Sequence, residues 1–264
     1  MNETFEKYNS VEFWLRHLSN LHLGKVGNFT PTSELLVFAN SLRLEYLAHH
    51  VVPTIEIVNA HLNLCSTLQQ CNTVLPQYEK YGLAYNIKTY NYLILASPSL
   101  AIAKNFYSQL ISNNIMPLPE TYIAILKNCS TLAQAGEVRN LMLNKNMLPT
   151  VGWYNSLLKL APNALEQSKI LDEMEQHGVD INLQTVHSVL AKATDFNSAI
   201  YIFNVLLHPN FLEPNFHTYC ALLKCATTKS EVVIVLNMRK NDNSPDDHTW
   251  QQLGETKVNY CRKY

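Results

Sequence analysis

An apolar triplet recurs along this chain with a period of about 32 residues. Within each copy the second and third side chains follow the first by 3 and 4 residues, so all three lie on one stripe of an α-helix. The copies are Tyr90/Leu93/Ile94, Tyr122/Ile125/Leu126, Tyr154/Leu157/Leu158, Val186/Val189/Leu190 and Tyr219/Leu222/Leu223. A short repeat cannot bury such a stripe alone and must stack on its neighbour. The spacing therefore predicts an all-α array of like repeats rather than one globular core.

Each triplet follows an anchor residue, usually threonine, that is predicted to start the first helix of its repeat. The anchors are Thr54, Thr89, Thr121, Trp153, Thr185, Thr218 and Thr249, separated by 35, 32, 32, 32, 33 and 31 residues. A second helix is predicted inside each repeat, because an apolar pair spaced i, i+4 lies on one helical face. These pairs are Val74/Tyr78, Phe106/Leu110, Val138/Met142, Ile170/Met174, Phe203/Leu207 and Ile234/Met238.

The starts and ends of the second helices also have predicted signals. Pro98 and Pro162 suit a first helical position, and Asp195 suits a cap. At the other end, a residue that tolerates the left-handed conformation is expected seven residues before the next anchor. The residues at this place are Gly82, Asn114, Asn146 and Gly178, with Asp242 before Thr249 and Phe211 as the exception, next to Asn210. Prolines that prevent helix continuation follow at Pro117, Pro149, Pro214 and Pro245.

Both ends of the chain lie outside the regular pattern. Phe13, Trp14 and Leu18 indicate an amphipathic helix, and a second helix is predicted from Thr30 to about Ala48. Terminal repeats commonly depart from the consensus because they cap the array. The predicted organisation is an N-terminal helical cap at 1–52, about six helical hairpins at 53–246 and a C-terminal capping helix at 247–264.

Composition excludes several classes of function. The net charge of −1 shows no overall basic character, so any nucleic-acid binding must depend on local placement of charge. No apolar run is long enough to span a membrane. The six cysteines form no pair spaced for zinc and are interpreted as reduced core residues of an intracellular protein. No catalytic, phosphate-loop or deaminase motif occurs, so we expect no enzyme activity, no cofactor and no metal.

The repeats resemble those of pentatricopeptide repeat (PPR) proteins over about residues 53–256. The shared features are Thr-Tyr at the start of the first helix, the apolar pair that follows, and a Gly/Asn-x-x-Pro ending. They stand at Thr89-Tyr90, Thr121-Tyr122, Thr218-Tyr219, Asn114 to Pro117 and Asn146 to Pro149. The resemblance implies a right-handed superhelical solenoid of helix-turn-helix repeats. It also implies that the first helices line a concave groove that binds single-stranded RNA, one base per repeat.

In that family the residue after the tyrosine and the last residue of the repeat read the base edge. On this chain the resemblance gives the pairs Glu56/Asn86, Asn91/Leu118, Ile123/Thr150, Asn155/Asn182, His187/Asn215 and Cys220/Asp246. Asn155 with Asn182 matches a combination that favours a pyrimidine, and an amide pair can donate and accept at a base edge. The predicted RNA-binding residues are Asn91, Asn155, Asn182, His187, Asn215, Cys220, Asp246 and Lys88, with Lys88 near phosphate.

Two hypotheses about function follow. The first is a monomeric RNA-binding adaptor acting in RNA processing, stability or translation, in mitochondria by family resemblance or otherwise in the cytoplasm. The second is a protein-binding scaffold or ribonucleoprotein subunit, because superhelical arrays bind peptides as readily as RNA. The family's base-clamping Val or Ile and its phosphate-contacting Lys are replaced, which favours the second. The replacements are Lys88, Glu120, Gly152, Gln184, His217 and His248 at the clamp, and Ser99, Thr131, Asn163 and Asp195 at the lysine.

Overall fold

The computed structural model describes residues 52–241, together with Arg16 and Ser41, which are both helical. Within 52–241 every regular element is an α-helix, and none is long and apolar enough to cross a membrane. The helices are α1 (Ile55–Leu64), α2 (Leu68–Val74), α3 (Pro76–Lys80), α4 (Ile87–Leu95), α5 (Leu100–Ser112), α6 (Pro119–Leu126), α7 (Leu132–Leu143), α8 (Val151–Leu160), α9 (Ala164–Gln176), α10 (Leu183–Leu190), α11 (Phe196–Leu207), α12 (Phe216–Cys225) and α13 (Lys229–Asn241).

The predicted terminal caps fall almost wholly outside the described residues. The same holds for Asp242, Pro245, Asp246, His248 and Thr249, which the sequence pattern singled out. The boundaries of the caps therefore stay predictions.

The chain divides into two compact units, Met1–Cys129 and Ser130–Tyr264. In the first unit, the first helices α1, α4 and α6 pack side by side in chain order, and α4 also packs against its second helix α5. In the second unit, α8, α10 and α12 pack in the same way, each against its own second helix α9, α11 or α13. The predicted all-α repeat of helical hairpins is thus confirmed within each unit.

The apolar triplets form the core as predicted. Tyr122, Tyr154 and Tyr219 are fully buried, although each carries a polar hydroxyl, and the aliphatic members of the triplets are at most 8% exposed. In the second unit, side chains from α10, α11, α12 and α13 meet in one cluster around Tyr219 and Phe203. Burial of one such stripe per repeat supplies the main favourable term for stacking.

The anchor threonines occupy the third position of the first helices rather than the position before them. The N-cap lies three residues earlier, and in three repeats it is an asparagine whose Oδ1 accepts a hydrogen bond from the threonine N–H. In return the threonine hydroxyl accepts from the N-cap N–H, which completes a reciprocal capping box. The pairs are Asn86–Thr89, Asn182–Thr185 and Asn215–Thr218.

The first repeat is shifted by three residues from its predicted register. Thr54 is the N-cap of α1, so the place equivalent to Thr89 belongs to Ile57, which is fully buried and stands 32 residues earlier. Val58 and Leu62 then fill buried triplet places. The predicted 35-residue spacing is wrong, because threonine suits both the cap and the anchor and its identity alone does not separate them.

The second helices begin with side-chain caps at equivalent positions. Ser99, Thr131, Asn163 and Asp195 each accept a hydrogen bond from the backbone N–H three residues later. The predicted cap at Asp195 is therefore confirmed. The predicted first helical position for the two prolines, Pro98 and Pro162, is wrong, because both residues precede the cap.

One member of a predicted apolar pair faces solvent, and another predicted pair is divided between two helices. Ile234 is 47% exposed, whereas Val232 and Val235 are fully buried, so the core-facing stripe of α13 is set by these valines. Val74 and Tyr78 are both buried, but they belong to separate short helices because α3 starts anew at Pro76. Proline has no N–H to continue the hydrogen-bond ladder of α2.

Left-handed residues end the second helices at the predicted place. Gly82, Asn114, Asn146 and Gly178 have φ between 56° and 64°, and Phe211 has φ of 52°. Phe211 itself therefore has the left-handed conformation, and the neighbouring Asn210 does not. A residue with a Cβ pays about 1–2 kcal/mol for this conformation, so the turn geometry overrides the local preference of phenylalanine.

Two glycine-to-alanine substitutions in the second unit should have opposite effects. Gly178→Ala should lower the free energy of unfolding by about 1 kcal/mol, because φ is +64°. Gly136→Ala, inside α7, should raise it by about 0.5–1 kcal/mol, because alanine is the better helix former. Neither new Cβ would meet another atom within 4 Å, so packing is unchanged. Urea unfolding of both variants measures the contrast, and shifts of the same sign would contradict it.

Candidate nucleic-acid interface

The predicted base-reading places lie two residues after each anchor, on the first helices. With the first repeat in its observed register, this place belongs to Asn59 rather than Glu56. Asn59 Nδ2 donates to Asn86 Oδ1 at 3.2 Å, so the residue that meets Asn86 is Asn59 and not the predicted Glu56. Glu56 is exposed, and the neighbouring Thr54 hydroxyl is the main cause that lowers the pKa of its carboxyl group.

Asn59 is held by a complete hydrogen-bond network. Its Oδ1 accepts from the Tyr78 hydroxyl at 2.7 Å and lies 2.9 Å from the Thr89 hydroxyl. Burial raises the pKa of Tyr78 well above its ordinary value, so this hydroxyl keeps its proton and its donor role. The side chain of Asn59 is only 4% exposed. It therefore ties α1 to α3 and to the start of α4.

Asn155 makes the equivalent contact in the second unit but is less fully bonded. Its Nδ2 donates to Asn182 Oδ1 at 3.3 Å, which brings the predicted pair together. Its Oδ1 is buried, and no group in the described part of the chain hydrogen-bonds to it. The Oδ1 of half-buried Asn91 is in the same state, and its predicted partner Leu118 has no polar side chain. A buried unpaired oxygen is uncommon and can mark a place for a ligand donor.

The closing asparagines have a structural role that the sequence did not reveal. In Asn86, Asn182 and Asn215, the Oδ1 atom accepts from the anchor N–H and therefore belongs to the cap of the next first helix. Only the Nδ2 end of each amide is not used by the cap. At these positions the amide can therefore act toward a ligand chiefly as a donor.

His187 and Cys220 lie at one cleft between α10 and α12. The His187 Nε2 atom is 2.8 Å from Thr218 Oγ1, and its ring meets His217 edge-on at 6.3 Å between centroids. Burial, and then the neighbouring His217, lower the pKa of His187. Burial also raises the pKa of the Cys220 thiol. The histidine thus favours its neutral form and the cysteine its protonated form.

This cleft has a volume of about 540 Å³ and mixed chemistry. Ala191, Ala193 and Ala221 leave room in its apolar wall, and the exposed Lys224 provides a cation. Although histidine and cysteine both line it, no group of three His, Cys, Asp or Glu in the described chain is placed to hold a metal ion. The cleft suits a planar, partly apolar group with a nearby negative charge.

The other predicted site residues are less informative. Lys88 is exposed on α4 of the first unit, where its charge also lowers the pKa of Glu56. Asp246 lies outside the described residues. The places where the family resemblance leads one to expect a phosphate-contacting lysine hold the second-helix caps, such as Asn163 and Asp195.

A set of lysines on the first helices was missed at the sequence level. In the second unit, Lys159 lies in the last turn of α8, Lys192 two residues after the end of α10 and Lys224 in the last turn of α12, and all three are exposed. Helices α8, α10 and α12 contain no acidic residue. The acids of this unit's helices lie on second helices: Glu137, Glu166, Asp172, Glu173, Glu175 and Glu231. Counting six or seven residues from each anchor would have found the lysines.

Comparison with known proteins gives distant structural likenesses only. No protein-family model matches the sequence, and no curated protein matches it significantly. A solved structure of the pentatricopeptide repeat protein PPR10 in complex with an 18-nt psaJ RNA element matches 90% of this chain at 18% identity, with a TM-score of 0.48. A cysteine-to-serine form of that complex gives the same values. PPR10 from maize matches 87% at 17% identity, with a TM-score of 0.37. This chain spans 39% of the length of those solved chains.

The two equivalent asparagines should differ in their importance for stability. Asn59→Ala removes an acceptor for the Tyr78 hydroxyl and a donor to Asn86, whereas Asn155→Ala removes one long hydrogen bond and one unpaired oxygen. The same side-chain atoms are removed in both variants, so Asn59→Ala should cost about 2 kcal/mol more. Denaturant unfolding tests this, and equal losses would contradict the network described here.

His187 should make folding stability depend on pH. The unfolded chain binds a proton near the ordinary pKa of 6.5, whereas folded His187 binds it only at lower pH. The unfolded state therefore holds more protons in this window, and the free energy of unfolding falls as the pH falls through it. In His187→Gln this decrease, measured by urea unfolding at about pH 7 and about pH 5, should be smaller than in the wild type. An equal or larger decrease would contradict the assignment.

Proposed function

We propose that this chain is a PPR protein that acts as an adaptor, holding single-stranded RNA along its first helices. The observation that carries the proposal is the cleft between α10 and α12, where His187 and Cys220 lie close to the exposed Lys224. An aromatic imidazole can stack on any base, and a lysine can neutralise the phosphate that accompanies it. The volume of about 540 Å³ lies within the range of small-ligand sites.

The distribution of charge supports an anionic ligand on the first-helix face of the second unit. Lys159, Lys192 and Lys224 are the charged residues at the ends of α8, α10 and α12, and these helices carry no carboxylate that would repel a phosphate. Much of the affinity for nucleic acid comes from release of counterions when lysines neutralise phosphates. The net charge of −1 therefore does not oppose RNA binding, because the acids are concentrated elsewhere.

The unpaired amide oxygens supply the hydrogen-bonding chemistry of the proposal. The Oδ1 atoms of Asn91 and Asn155 can accept from a base amino or imino group, and the Nδ2 end of Asn182 can donate to a base carbonyl. Asn155 is only 2% exposed, so its side chain must turn outward to meet a base. The Asn155/Asn182 pair would favour a pyrimidine, as the family resemblance implies.

The proposed adaptor performs no chemistry of its own and requires no cofactor. It would act by covering or presenting a transcript in RNA processing, stability or translation. The mitochondrial setting is proposed on the family resemblance alone.

Selection from a random RNA pool with the purified full chain tests the function. At low salt we expect enrichment of a short single-stranded motif, and Asn155→Ala should relax the preference at one pyrimidine. Absence of enrichment at low salt would reject RNA binding.

The salt dependence of binding tests where the RNA lies. Neutralising the first-helix lysines in the triple variant Lys159→Gln, Lys192→Gln, Lys224→Gln should reduce the slope of log affinity against log salt by about 2, since each phosphate contact on a single strand contributes about 0.7. The matched control neutralises Lys145, Lys169 and Lys229, which are equally exposed but lie on or beside second helices. Equal losses in both triple variants would place the RNA elsewhere.

A further inference from the structure

A groove on the second unit lies between the second helices α9 and α11. It has a volume of about 520 Å³, and Val189 of α10 contributes to its lining. Two apolar side chains that line it are unusually exposed, with Tyr201 at 69% and Val205 at 43%. Tyr201 and Val205 are one helical turn apart on α11 and present a continuous apolar edge.

Helix α11 has no charged residue in its 12 positions, which is unusual for a helix with an exposed face. In a helix that remains in solvent, the outward face is normally polar or charged, as it is in α9. A contiguous exposed apolar patch in a soluble protein commonly marks an interaction site. The outward face of α11 is therefore better suited to contact with a partner than to solvent.

Gln167 is an independent observation that indicates ligand binding in the same groove. It stands four residues after the N-cap of its helix, a place that Ala103, Ala135 and Ala199 occupy in the other repeats with α5, α7 and α11. Gln167 is 4% exposed and lines the groove, and its Nε2 has no hydrogen-bond partner in the described part of the chain. An unpaired buried amide donor costs free energy, which an acceptor from a bound segment would recover.

The groove continues into an acidic cavity of about 400 Å³, and the two share Leu171 and Leu206. Asp172, Glu175 and Asp180 line this second cavity, and none of its lining residues is a cation. A lysine or arginine side chain complements such a cavity, whereas an RNA phosphate would be repelled.

We propose that this groove docks an extended segment of a partner protein. Two apolar side chains of the segment pack against Tyr201 and Val205, and a neighbouring lysine or arginine enters the acidic cavity. An extended backbone has carbonyl oxygens available to accept from Gln167 Nε2, whereas a helix uses nearly all of its own internally. The site lies on second helices and does not depend on RNA binding by the first helices.

Panning a phage library of random dodecapeptides on the full chain tests the docking site directly. We expect enrichment of peptides in which apolar residues stand beside a lysine or arginine. An enriched peptide, synthesised with a fluorescent label, should bind one site per chain in an anisotropy titration. No enrichment, or enrichment of acidic peptides, overturns the proposal.

Substitutions with matched controls locate the peptide. Gln167→Ala restores the residue found in the equivalent helices, so the chain should fold, yet its affinity for the labelled peptide should fall several-fold. Val205→Ser should weaken binding about tenfold, whereas Val233→Ser, which alters an equally exposed valine outside the groove, should not. Unchanged binding by Gln167→Ala, or equal losses in the two valine variants, overturns the assignment.

Charge neutralisation and sedimentation distinguish the proposed partner segment from a second copy of this chain in the groove. The double variant Asp172→Asn, Glu175→Gln should weaken peptide binding and reduce its salt dependence, whereas Glu120→Gln with Glu213→Gln should leave both unchanged. If sedimentation instead shows a concentration-dependent dimer that Tyr201→Ser abolishes, the occupant is a second copy of this chain and the proposed partner segment is wrong.

Discussion

The structure depends on the burial of one apolar stripe per first helix against the first helix of the neighbouring repeat. Tyr90, Leu93 and Ile94 cannot be buried by their own hairpin alone, and the same applies to the equivalent triplets that follow. Because each repeat completes the core of the next within a unit, stability is shared between neighbours in that unit. The exposed ends and outer faces of the helices are then available for side chains that the core does not require.

The asparagines that directly follow the first residue of a buried triplet also contribute to this stacking. Asn59 and Asn155 both reach the cap of the next first helix, but only Asn59 has its oxygen fully bonded. The same position therefore acts as a structural contact in one repeat and retains an unpaired acceptor in another. The proposed base-reading role therefore applies to particular repeats rather than evenly along the array.

In the second unit, the first and second helices differ in chemistry. The first helices carry lysines and no carboxylates, whereas α9 is acidic and α11 is uncharged with an exposed apolar edge. Such a separation suits two ligands of different kinds, a polyanion on one set of helices and a protein segment on the other. The two hypotheses that the sequence left as alternatives are therefore compatible on one molecule.

Local chain geometry was determined by the sequence itself. The 32-residue period, the i, i+3 and i, i+4 stripes and the left-handed turns at Gly82, Asn114, Asn146 and Gly178 depend on backbone preferences and side-chain spacing. The tertiary structure alone decided which of several suitable residues occupies a given role. It made Thr54 a cap and Ile57 the anchor, turned Val235 rather than Ile234 inward, and left Gln167 buried with no hydrogen-bond partner for its Nε2 among the described residues. Those choices depend on contacts between repeats, and adjacent residues of similar character differ only in which neighbour they meet.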